Sequence, residues 1–122
     1  MYILTLLILI ITIHNSKSQD LLNTNCVVNI KGDNEIKEYV DYEITINKRN
    51  VYFKSNNLKT TFKIELKDTI SYEKTFYNEI HTIVCDLPDC TFKIEKIDNK
   101  ISMVAIKNEI KNYYIFYLNC SY

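Results

Sequence analysis

Leu58-Lys59-Thr60-Thr61-Phe62-Lys63-Ile64-Glu65-Leu66-Lys67 alternates residue by residue. Leu58, Thr60, Phe62, Ile64 and Leu66 fall on one side and Lys59, Thr61, Lys63, Glu65 and Lys67 on the other. A period of two marks an extended chain with one dry and one wet face, because successive Cβ atoms of a strand point to opposite sides. The same reading applies upstream, where Ile36, Val40, Tyr42, Ile44 and Ile46 oppose Lys37, Asp41, Glu43, Thr45 and Asn47. Turn-forming residues punctuate these runs. Asn56-Asn57 precedes the first, Asn47-Lys48-Arg49-Asn50 leads into a strand from Val51 to Lys54, and Lys31-Gly32-Asp33-Asn34 follows an opening strand from Cys26 to Ile30.

Further along, Ile80 to Cys85, Ile101 to Ile106 and Ile110 to Leu118 carry apolar residues on both faces, so these strands are expected to be covered on both sides. Asp98-Asn99 and Asn108-Glu109 join successive strands of a meander, and Asp86-Leu87-Pro88-Asp89 forms a turn before Cys90. Leu66 to Glu79 reads equally as strand or short helix and is taken as a connection. The fold class expected is all-β, an antiparallel sandwich or small barrel of about eight strands.

The chain of 122 residues opens on an apolar run from Ile3 to Ile13, followed by His14-Asn15-Ser16-Lys17-Ser18. The run is shorter than the roughly 20 residues that span a bilayer, and Ser16 and Ser18 are small residues at signal-peptidase spacing before Gln19. Residues 1–18 are therefore read as a signal peptide and 19–122 as one secreted, extracellular domain without a further membrane span. The competing reading is an uncleaved anchor. A domain of this size buries roughly two thirds of its unfolded surface. Composition follows AT-rich codons: Ile, Asn, Lys and Tyr abound, with one Gly, one Pro and no Trp. Fifteen Lys and Arg balance 15 Asp and Glu without a basic block, which argues against nucleic acid as a partner.

Cys26, Cys85, Cys90 and Cys120 all follow the leader, and an even count in an exported chain reads as two disulfides. With strands alternating in direction, Cys26 and Cys120 come to one end of the fold and Cys85 and Cys90 flank a turn at the other. That order pairs Cys26 with Cys120 and Cys85 with Cys90; a ninth strand or a Greek-key crossover would break this parity, and two other connectivities stay open. Loop closure gives about 4.7 kcal/mol for the long bridge and about 2 for the short one. Zinc is the alternative use of the cysteines, but only one of the pairs is closely spaced and His81 is the one histidine after the leader, so no metal site is expected.

In cysteine order the chain resembles the ML (MD-2-related lipid-recognition) domains, through Cys26, Cys85-Asp86-Leu87-Pro88-Asp89-Cys90 and Cys120. It lacks the early local cysteine pair of that family and a glycine shortly after Cys90. The resemblance implies a sterol or lipid held between two sheets. An immunoglobulin pattern is absent, with no Trp and with Leu118 where a tyrosine corner would place Tyr.

No catalytic motif stands out. His81 sits between Ile80 and Thr82 without a motif partner and reads as a structural histidine. Ser71, Ser102 and Ser121 lie in no nucleophile elbow, and Gly32 alone cannot build a phosphate loop. No cofactor and no enzymatic activity are expected. Tyr113, Ile115 and Tyr117 make an aromatic face on the last strand and are the candidate binding face, while Tyr114, Phe116 and Leu118 take the other side. The expectation is a secreted, non-enzymatic protein that recognises an extracellular protein through strand faces or loops. The alternative is a carrier of a small hydrophobic ligand or lipid, ML-like or lipocalin-like. Asn119-Cys120-Ser121 is a glycosylation acceptor motif, expected to carry little or no glycan.

Overall fold

The computed structural model of the chain describes residues 19–55 and 61–121. The predicted leader, the Asn56-Asn57 turn, and Leu58 and Thr60 of the alternating face lie outside the described residues. Ten strands and no helix are found among the described residues. They are β1 (Gln19–Thr24), β2 (Cys26–Lys31), β3 (Asn34–Glu38), β4 (Tyr42–Asn47), β5 (Asn50–Ser55), β6 (Thr61–Lys74), β7 (Glu79–Cys85), β8 (Cys90–Ile97), β9 (Lys100–Asn108) and β10 (Tyr113–Leu118). Every pairing is antiparallel, in the order β1-β4-β5-β6-β7-β8-β9-β10-β2-β3, and the sheet curls into a half-barrel.

That order begins and ends on a single hairpin. β1 runs into β2 through Asn25 alone, and β3 runs into β4 through residues 39–41. The upper half of this hairpin pairs β2 with β3 and the lower half pairs β1 with β4. Between Val27↔Glu38 and Thr24↔Tyr42, two residues on one side face three on the other. One extra residue bends a ribbon as a β-bulge does, and a bent strand can pass from one sheet to its neighbour. The long strand expected from Ile36 to Asn47 is therefore two, and β3 stays exposed along its whole length, with Ile36 at 58%.

The segment from Leu66 to Glu79 is no connection, since β6 continues to Lys74 against β7. Its register shifts between Leu66 and Thr69 and again between Thr69 and Ser71. Two shifts break the period of two, which is why alternation fails there in the sequence. Turns follow the residues that favour them. Asp98 and Asn99 both take positive φ, as a type I′ hairpin requires, and Gly32 takes φ 60 as the first central residue of the β2–β3 turn.

Inward-facing residues make one core. Phe53, Phe92, Ile44, Ile64, Val51 and Val104 are fully buried, with the Phe53 ring 6.3 Å from Phe92 and 4.9 Å from Tyr117. The Cys26–Cys120 disulfide is present, its Cα atoms 5.7 Å apart across 94 residues of sequence. Asn25 reinforces it: its Nδ2 donates to the Cys120 carbonyl at 3.0 Å and its Oδ1 accepts from the Cys120 N–H at 2.8 Å.

The second expected bridge is absent, and Cys85 and Cys90 are free thiols. Being at one end of a hairpin is insufficient for a bond, which also requires the sulfurs to face each other at bonding distance. Here the Cys85 thiol turns to the Cys90 carbonyl, 3.6 Å away, and the Cys90 sulfur accepts from Asn108 Nδ2 at 3.6 Å.

Candidate functional site

The strand β10 lies between β9 and β2, and its register decides which of its aromatic faces points inward. Tyr117, Ile115 and Tyr113 pair with Val104, Ile106 and Asn108 on β9 and with Val27, Asn29 and Lys31 on β2. Val104, Ile106 and Val27 belong to the core, so the candidate face looks into the half-barrel. Tyr114 and Phe116 take the outer side, their rings stacked at 5.6 Å, with the Lys107 ammonium 4.9 Å over Tyr114.

Each of the three inward residues has a distinct environment. Tyr117 is buried against Phe53 and lies edge-on to Tyr42 at 5.1 Å, and burial pushes its phenol well above the ordinary tyrosine range. Ile115 is half-buried and packs on the core. Tyr113 is anchored at its tip, where the hydroxyl donates to Asn29 Oδ1 at 2.7 Å.

Together they line a cavity of about 400 Å³ that opens on the concave side of the sheet. Phe62, Leu87, Cys90 and Ile106 complete its apolar wall. Phe62 comes from the alternating stretch on β6 and stays 40% exposed, so it stands at the edge of the opening. The volume lies within the range of sites that take small organic molecules, as does a mostly apolar lining with a few polar groups. Cys85, beside this wall, is held as a thiol, because burial pushes its pKa above the usual value.

A second feature is an aromatic tip. Residues 75–78 close the β6–β7 hairpin, with the Thr75 N–H donating to the Asn78 carbonyl at 2.8 Å and Thr75 Oγ1 accepting from the N–H groups of Tyr77 and Asn78 at 3.2 and 3.0 Å. This turn holds Phe76 and Tyr77 out in solvent, 96% and 80% exposed. Both fall in the stretch left ambiguous by periodicity, and the available signal is the pair of aromatics between the turn formers Thr75 and Asn78.

His81 stands beside Glu79, Nε2 to Oε2 3.6 Å, with its ring 4.7 Å from that of Tyr72. Among the described residues it makes no hydrogen bond to a serine or cysteine, and no three His, Cys, Asp or Glu side chains converge as a metal site would need. The acceptor Asn119 uses its own Nδ2 to donate to the Asn23 carbonyl at 3.1 Å.

No protein-family model matches the chain. A non-toxic nonhemagglutinin of Paraclostridium bifermentans is 35% identical to it over an alignment of 108 residues that covers 83% of this chain and 9% of that protein. The chain thus spans less than a tenth of the length of the curated relative it matches.

Proposed function

We propose that this chain is a non-catalytic, extracellular binding domain that takes a small hydrophobic molecule into the cavity beneath β10. The observation that carries this reading is the cavity itself, about 400 Å³ with an apolar wall, lined by the three residues Tyr113, Ile115 and Tyr117. An apolar concavity of this size, open to solvent beside the buried Phe53 and Phe92, suits a small hydrophobic ligand. Native mass spectrometry of the protein as secreted tests the reading. A co-purifying hydrophobic molecule at near-equal stoichiometry is expected, and Ile115→Trp, which fills the cavity, abolishes it. Protein that is empty as isolated and takes up no apolar ligand contradicts the reading.

A second reading, recognition of an extracellular protein, is carried by the hairpin tip. Two aromatic rings fixed in solvent at a loop end suit a protein interface, where large stiff amphipathic side chains are favoured. Similarity to one segment of a much longer protein supports a unit that works joined to others. Loss of partner capture from the natural medium by Phe76→Ser/Tyr77→Ser, but not by Ile115→Trp, would select this reading over the first. Export belongs to both, and N-terminal sequencing of secreted protein is expected to begin at or near Gln19; an intact Met1 on membrane-bound material contradicts it.

A further inference from the structure

We infer that the cavity selects a free single-chain amphiphile with an anionic head, such as a fatty acid, an inference that rests on the reading of the cavity as a ligand site. The charged side chains that line it are of one sign. Lys31 and Lys111, both exposed, line the cavity together with Asn108, and no Asp or Glu does. In a chain whose formal charges cancel, two cations at the mouth of an apolar cavity form a local positive field.

The fold brings these lysines together. Lys31 pairs with Tyr113 across β2 and β10, and Lys111 precedes Tyr113 by two residues in the β9–β10 turn. The Gly32 N–H donates to the Asn112 carbonyl at 3.4 Å, which holds the β2–β3 turn against the β9–β10 turn. Neither ammonium is in an ion pair among the described residues, whereas the neighbouring Lys107 is matched by Glu109 at 3.5 Å. Both lysine charges are therefore available to a ligand. An alkyl chain lying against Phe62, Leu87, Ile106 and Ile115 would leave its head beside them, where a carboxylate can accept charge-assisted hydrogen bonds.

Titration calorimetry of the full secreted chain with monomeric dodecanoate, dodecanol and dodecyltrimethylammonium tests this, with phosphatidylglycerol vesicles as a separate arm. The acid is expected to bind about tenfold more tightly than the alcohol and the cation to bind weakest, in keeping with two exposed charge contacts. In Lys31→Gln/Lys111→Gln the preference for acid over alcohol falls to about parity. These side chains are exposed, so the variant is expected to fold, which its circular dichroism checks. Equal binding of acid and alcohol to the unaltered protein overturns the charge selection while leaving the cavity a hydrophobic ligand site. Binding of none of the three overturns both, as does loss of none of the binding in Ile115→Trp. Binding to vesicles without binding of monomeric dodecanoate overturns the free amphiphile in favour of a bilayer surface.

Discussion

Tyr117 shows how one residue joins core and site. Its ring closes the floor of the cavity and packs on Phe53, and its hydroxyl is kept neutral by burial, so its ionisation is held above the ordinary value of 10.0. The sign of the pH effect follows. Above about pH 10 the unfolded chain ionises this phenol while the folded chain keeps its proton, so stability is complete below that pH and falls as pH rises, by up to about 1.4 kcal/mol per pH unit. Urea denaturation at a series of alkaline pH values should show this fall, and Tyr117→Phe should make it shallower by one group's share. An unchanged slope in the variant would mean that Tyr117 is not buried as described. At this scale strand order located the Cys26–Cys120 bridge but not the state of the other two cysteines. The positions of Cys85 and Cys90 at one hairpin end follow from alternation, whereas the orientation of their sulfurs depends on side-chain hydrogen bonds that no spacing encodes.

Among the elements, legibility tracked the integrity of the period of two. Ile44 and Ile46, Val51 and Phe53, and Ile64 and Leu66 repeat without interruption and all proved buried, as alternation requires. Where the ladder shifts, the pattern fails, as in β6 beyond Leu66. β1 was missed for another reason: only Leu22 and Thr24 point inward, too few to register as a pattern. The strands number ten where about eight were expected, because β1 precedes β2 and β3 separates from β4 by a change of pairing partner. The tip of the β6–β7 hairpin carries its own prediction. Phe76 and Tyr77 touch each other, ring to ring at 5.4 Å, and are almost wholly in solvent. Phe76→Ser/Tyr77→Ser should therefore change thermal stability by no more than about 0.5 kcal/mol. A larger loss would show that the tip packs on the domain and is not presented outward.

For the molecule as a whole, the two edges of the sheet are tied to each other through one hairpin. The hairpin of β1 to β4 supplies both ends of the hydrogen-bonded series, and the Cys26–Cys120 bridge ties that hairpin to the end of β10. A bridge across so long a loop restricts the unfolded chain strongly, and its removal by Cys26→Ser should cost about 2–5 kcal/mol and lower secreted yield. Peptide mapping without reduction should link Cys26 to Cys120 and find Cys85 and Cys90 alkylated; a Cys85–Cys90 crosslink would contradict the thiol pair. β10 is thus the strand on which bridge, core and cavity converge, and the occupancy of its inner face is the claim on which the functional reading stands. Methyl-resolved NMR of isotopically labelled protein titrated with dodecanoate tests it most directly. The predicted result is that Leu87, Ile106 and Ile115 methyl resonances shift together and saturably. Shifts confined to exposed methyls such as Ile70 and Ile110, or no saturable shift at all, would contradict it.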